Sequence, residues 1–156
     1  HDVDGINPLT EEQKVRPPVA GAIAEIFERN HVETKGKKAV VVGLGRLVGA
    51  PAVELLEDMG ATVSIVTQTR GSIEELKSAD IVVLGAGNPG FVKREMLKKG
   101  VVLIDAGTSE MENKIAGDAD PACESAAAVF TPVPGGVGPV AVAMIFKNLF
   151  VLAENT

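Results

Sequence analysis

The stretch Ala39-Val40-Val41-Val42-Gly43-Leu44-Gly45-Arg46-Leu47-Val48-Gly49 decides the fold of this chain. Four small apolar residues without a polar interruption suit a strand buried on both faces. A G-x-G turn follows at once, and the spacing Val48, Ala52, Leu55, Leu56, Met59 then predicts a helix. Strand, glycine turn and helix in that order bring backbone N–H groups and a helix N-terminus to one point, where an anion is favoured. Gly43 and Gly45 permit the tight turn and the close approach of a pyrophosphate. The usual third glycine position is Val48, with Gly49 one residue late. Glycines serving only strand-to-helix packing are the simpler alternative.

The same alternation runs outward from this unit. Upstream, residues 19–30 read as a helix with Val19, Ala22, Ile23, Ile26 and Phe27 on one face, and Pro17 and Pro18 suit its first turn. Downstream, residues 61–66 are strand-like, and residues 72–78 form a helix opening on Ser72 as its cap. Apolar runs recur at 81–84 and 101–104, with a short helix at 93–98 between them, a hairpin around 108–117 and a strand at 127–130. A last helix reaches about residue 153. Short apolar runs separated by helical segments predict a parallel sheet covered on both faces, a doubly wound, Rossmann-like α/β fold. We read residues 1–35 as an N-terminal segment and helix, and residues 36–156 as a single nucleotide-binding domain.

Composition narrows the function. The 156 residues are 46% hydrophobic, enough for one domain with a core from which roughly two-thirds of the unfolded surface is withdrawn. Five Phe, no Tyr and no Trp leave no stacking platform for single-stranded nucleic acid, and a net charge of −6 gives no basic footprint. The single Cys123 excludes an internal disulfide, and no Cys/His cluster suggests a metal. No signal peptide or uninterrupted run of some 18 apolar residues is seen, so a cytoplasmic protein without a membrane partner is expected. The chain opens on His1, which suggests a removed leader or a fragment.

In such a sheet the ligand lies beyond the carboxyl ends of the strands. The segment Thr67-Gln68-Thr69-Arg70 follows the second strand, where an NAD-specific domain carries an acid about twenty residues after the glycines. No acid occurs between Gly60 and Ile73. Gln68 and Thr69 with Arg70 or Arg46 can instead receive a 2′-phosphate, which favours NADP while leaving NAD open. Gly87 belongs to the G-A-G-N-P-G turn (85–90) after the third strand, where an ordinary tight turn competes with a nucleotide contact. Asp105 braces loops and is not catalytic. His31 precedes the sheet, so no Ser–His–acid arrangement is available and no catalytic residue is assigned; hydride transfer needs little protein acid–base chemistry. Finally, T-P-V-P-G-G-V-G-P (131–139) packs three prolines and three glycines into nine residues before the last helix. It serves equally as a rigid turn or as a wall against a flat ligand.

Taken in order, these motifs resemble the bifunctional methylenetetrahydrofolate dehydrogenase/cyclohydrolase family. The resemblance rests on P-V-P-G-G-V-G-P (132–139), D-V-D-G (2–5), V-G-A-P (48–51), G-N-P-G-F (87–91), I-D-A-G (104–107) and G-D-A-D (117–120). It implies that Gly43, Leu44 and Gly45 line the cofactor phosphates, Gln68 lies near the adenosine ribose and Thr108 near the nicotinamide. Gly135 and Gly136 would border the meeting point of nicotinamide and folate, Pro139 would lie on the substrate side, and Asp4 would face the pterin. The family also implies a homodimer that includes the hairpin region.

Departures from the family pattern accompany the matches. Leu44 and Gly45 stand for the common Arg and Ser, Thr67-Gln68-Thr69 for H-S-R/K, Pro18-Val19 for the C-T of R-P-C-T, and Ala141 for Thr. The family's Y-x-x-x-K lies in a folate domain, and this chain has no tyrosine. The expectation is therefore the NAD(P)-binding half of an enzyme oxidising 5,10-methylenetetrahydrofolate to the methenyl form, with cyclohydrolase activity in the full protein. Alone, it should be inactive. A non-catalytic nucleotide-binding or regulatory domain derived from the family, or a dehydrogenase for another small substrate, are the alternatives.

Overall fold

The computed structural model describes residues 2–6 and 15–154. Its central sheet has five parallel strands, β1 (Lys38–Val42), β2 (Thr62–Val66), β3 (Ile81–Leu84), β4 (Val101–Asp105) and β7 (Ala127–Thr131), in the order β2-β1-β3-β4-β7. The intervening β5 (Ser109–Met111) and β6 (Lys114–Ala116) form the expected antiparallel hairpin. Among the described residues there are three α-helices, α1 (Pro18–Arg29), α2 (Gly49–Asp58) and α3 (Val137–Glu154).

The unbroken apolar runs explain the layering. Successive side chains of a strand point to opposite faces. Ala39, Val41, Ile81, Val83 and Ile104 therefore meet the three helices on one side, with Ile23, Phe27, Leu55 and Leu56. Val40, Val42, Val82, Leu84 and Leu103 meet Leu76, Leu97 and Cys123 on the other. Both faces are dry, as the doubly wound reading requires.

The second layer differs from the expected helices. Residues 73–78 and 94–96 are 3-10 turns, and a third such turn at 121–126 had no counterpart in the sequence reading. Each fills a short connection, too few residues to nucleate and propagate an α-helix. Ser72 caps the first as expected. Its hydroxyl accepts from Glu74 N at 3.3 Å, and its own N–H donates to Glu75 at 3.1 Å. Cys123 is buried in this layer, its thiol donating to the Val92 carbonyl at 3.3 Å, and burial pushes that thiol up from its ordinary pKa.

α3 is long and apolar enough, by length and composition, to cross a membrane. Its inner side, with Val137, Ala141 and Met144, packs on the helical layer. Asn148 on the same helix is buried, and its amide donates to the carbonyls of Val3 and Arg16, both at 2.9 Å. That polar clasp fixes the N-terminal turn to α3. The outer side carries Val142, Ile145, Phe146, Leu149 and Phe150, all exposed, at a spacing of i, i+3, i+4, i+7, i+8.

Candidate functional site

The chain order reverses between β1 and β3. The first crossover carries the chain to β2 at the sheet edge, and the next returns it to the far side of β1. The loops leaving β1 and β3 must diverge there, which is where open α/β sheets bind ligands. A cleft of about 800 Å³ occupies this point, within the size range of cofactor pockets. Gly43, Leu44, Gly45, Thr67, Gln68, Thr69, Gly85, Ala86 and Asn88 line it, with Phe91 and Met96 as an apolar wall. No side chain among these lining residues is charged.

Backbone proximity shapes the cradle. Gly43 has φ +88°, and a Cβ there would lie 2.5 Å from the Gly85 carbonyl oxygen. Gly49 begins α2, and a Cβ on it would overlap the Gly43 carbonyl oxygen. The displaced third glycine of the sequence thus does the work of close helix-to-strand packing. Val48 turns instead toward Gly85, where its Cγ1 fills the space of a missing side chain. The first N–H groups of α2 are largely spent inside the turn. Ala50 N donates to the Gly45 carbonyl and Ala52 N to the Val48 carbonyl, both at 3.0 Å, and Pro51 has no N–H, so the anion cradle of the cleft is the Gly43–Gly45 turn itself.

The predicted residues do not all come together. Gly43, Leu44, Gly45, Gln68 and Thr69 come together in the cleft. Arg46 and Arg70 are exposed and lie outside its lining, as does Gly87, although its neighbours Ala86 and Asn88 line it. Thr108, Gly135, Gly136 and Pro139 sit beyond β4 and β7, on the same edge of the sheet. At about 4.8 Å per strand, that edge runs ~19 Å from β2 to β7, long enough for an extended dinucleotide. Gly136 packs tightly, since a Cβ there would lie 2.5 Å from the Pro132 carbonyl oxygen. Asp4 is exposed on the turn formed by residues 2–5, apart from the cleft lining.

Two buried acids lie beneath the site. Asp105 accepts from Gly107 N at 3.0 Å, Asp118 N at 3.2 Å and Ala119 N at 2.8 Å, confirming it as a brace. The Thr131 hydroxyl accepts from Asp105 N at 2.8 Å, tying β7 to the same point. Burial pushes the Asp105 carboxyl above the ordinary range, and the three N–H donors pull partly the other way. Because the raised value belongs to the folded state, this group's contribution to stability is present below about pH 3.9 and is lost as pH rises through the raised value. Carboxyl NMR should find Asp105 titrating above 3.9; a value below it would contradict that account. Asp118, fully buried, was visible in the sequence only within the G-D-A-D match. Its carboxylate accepts from the backbone N–H groups of Ala86 at 2.7 Å and Asn88 at 2.8 Å, both in the cleft wall.

Residues 17–156 match the family model described as tetrahydrofolate dehydrogenase/cyclohydrolase, NAD(P)-binding domain. The bifunctional protein FolD of Halothermothrix orenii is 40% identical over 157 residues, covering 94% of this chain and 56% of that protein. The crystal structure of the FolD dehydrogenase/cyclohydrolase from Campylobacter jejuni superposes with a TM-score of 0.92 at 31% identity, covering 99% of this chain and 58% of that one. The Trypanosoma brucei methylenetetrahydrofolate dehydrogenase-cyclohydrolase, solved with NADP and an inhibitor, gives 0.91 at 34% identity, covering 99% and 58%. The chain thus spans little more than half the length of the relatives it matches. Five parallel strands, a glycine cradle at the switch point and these likenesses agree, and the chain belongs to the tetrahydrofolate dehydrogenase/cyclohydrolase family, as its NAD(P)-binding domain.

Proposed function

We propose that this chain is the cofactor-binding half of an enzyme that oxidises 5,10-methylenetetrahydrofolate to the methenyl form, with NADP as the cofactor. The observation that carries this reading is the uncharged, glycine-lined cleft at the switch point of a family member. Gly43, Leu44 and Gly45 hold the phosphates. Gln68 and Thr69, flanked by Arg70 and Arg46, receive the 2′-phosphate. When bound, the dinucleotide supplies the hydride acceptor; the chain's own residues orient it and bring its nicotinamide end toward Thr108, Gly135 and Gly136.

The folate is held mainly by a second domain, which in the full protein covers the apolar outer side of α3 and brings the cyclohydrolase lysine. Asp4 and Pro139 contribute from this chain. Alone, the chain binds dinucleotide and turns over negligibly. The family pattern also supports a homodimer through the β5–β6 hairpin, where Met111 and Ile115 are exposed, and a cytoplasmic location.

Cofactor choice offers a direct test. No acid lines the cleft to bond the ribose hydroxyls of NAD. Native chain titrated by fluorescence should bind NADPH at least as tightly as NADH. Gln68→Glu places a carboxylate beside the 2′-phosphate and should shift the NADPH/NADH preference at least about tenfold toward NADH, the equivalent of ~1.4 kcal/mol. Failure of both dinucleotides to bind at millimolar concentration would sink the cofactor reading. An unchanged ratio in the variant would move the 2′-phosphate away from Gln68.

A further inference from the structure

The wall of the cleft beside β3 takes its shape from a distant part of the chain. Residues 85–90 contain three glycines and a proline and have no regular structure. Gly85 N is tied to the Val42 carbonyl of β1 at 2.9 Å, and the rest of the loop is held chiefly by the segment that follows β6. Asp118 Oδ2 takes the Ala86 N–H and Oδ1 takes the Asn88 N–H, so both carboxylate oxygens serve this one loop. Gly90 N donates to the Gly117 carbonyl at 2.9 Å, and Val92 N donates to the Asp118 carbonyl at 3.0 Å. The Ser109 hydroxyl donates to the Gly87 carbonyl at 3.0 Å. Asp118 is itself fixed, since Asp105 accepts its N–H and Gly107 lies so close that a Cβ there would overlap the Asp118 carboxylate.

This arrangement is costly unless it serves a purpose. A fully buried carboxylate is tolerated only with strong donors, and an ionised one is an acceptor at both oxygens. Two converging backbone N–H groups match that chemistry and no other side chain of this size supplies it. A glycine-rich wall left free would have to be ordered by the ligand, at the expense of affinity.

We propose that Asp118 is a positioning residue for the dinucleotide: its carboxylate holds residues 85–90 in their receiving shape before the cofactor arrives, and so sets cofactor affinity. The proposal rests on the NAD(P) reading of the cleft. Asp118→Asn keeps the volume but turns an NH2 toward one of the two donors, leaving Ala86 or Asn88 without a partner.

NADPH titration with thermal melting separates the outcomes. The native chain should bind, and folded Asp118→Asn should bind at least about tenfold more weakly, the weight of one charge-assisted hydrogen bond. Amide NMR shifts in the variant should move at Ala86 and Asn88 and stay put along α2, which a general loss of packing would not produce. Asp120→Asn, which removes the carboxylate accepting from Ala122 N at 3.0 Å, should leave NADPH affinity unchanged. Native affinity in folded Asp118→Asn overturns the proposal. No NADPH binding by the native chain overturns the cofactor reading and the proposal with it. If the variant does not fold, amide exchange in the native chain decides. Slow exchange at Ala86 and Asn88 without dinucleotide supports a preformed wall, and exchange that slows only on adding NADPH overturns it.

Discussion

Replacing Gly49 by alanine is expected to abolish dinucleotide binding and to lower the melting temperature of the chain by about 10 °C. The added Cβ would overlap the Gly43 carbonyl oxygen and lie 2.7 Å from the Leu44 Cα. Both are backbone atoms, so no rotamer relieves the contact, and α2 must move away from the end of β1. Overpacking of this kind costs about 3 kcal/mol. Alanine's helix propensity returns at most ~1 kcal/mol, and less at the first position of a helix, so the clash wins. The movement also opens the turn that holds the phosphates, so affinity should fall further than stability. Gly45→Ala is the matched control. Nothing lies within 4 Å of a Cβ there, and stability should change by no more than about 0.5 kcal/mol. Circular-dichroism melts and NADPH titration of the two variants check the pair. A Gly49→Ala chain that melts like the native one would show that α2 does not sit on Gly43.

Much of this site is local in sequence, and for that reason it was legible. Val40 and Val41 have apolar neighbours on both sides, so burial on both faces follows from the run itself, and G-x-G after it can only be a turn. A parallel sheet and a ligand site beyond the carboxyl ends of its strands follow from those units, whereas the strand order β2-β1-β3-β4-β7 is set by long-range pairing that no local run records. The second layer departs from the expected helices because Leu76 carries the same apolar signal in a 3-10 turn as in a short α-helix, and Leu97 carries it from the extended residue just after one. What separates the two is the length of the connection. Asp118 was hidden for a different reason. Its partners Ala86 and Asn88 lie about thirty residues away and offer only backbone N–H groups, so no side-chain pattern marks the contact. The clasp of Asn148 on Val3 and Arg16 is equally silent, being directed at carbonyls more than a hundred residues away.

Putting acids on the outer side of α3 is expected to leave this chain folded while it removes folate-dependent turnover from the completed protein. Phe146 is 60% exposed and Phe150 70%, with Val142, Ile145 and Leu149 beside them. A contiguous apolar face of this kind on a globular domain marks an interface. The inner side of the helix is already satisfied by Ala141, Met144 and Asn148, so the outer residues add nothing to the fold of this chain. A bilayer is the poorer occupant, because the exposed Lys147 puts a charge within the helix and the clasped Asn148 holds one side of it against protein. On the proposed function, the partner that fits this face is a further domain like the portion that relatives carry beyond the matched part. Two buried aromatic anchors at ~2 kcal/mol each correspond to about a thousandfold in domain docking. Phe146→Asp with Phe150→Asp should therefore give a chain that melts within a few degrees of the native one, binds NADPH normally and self-associates less by size-exclusion chromatography. Joined to the lysine-bearing half, the same pair should reduce methylenetetrahydrofolate-dependent NADPH formation at least a hundredfold, a conservative fraction of the docking loss. Native turnover in that joined variant would remove α3 from the domain interface and leave a second copy of the chain as the occupant to test.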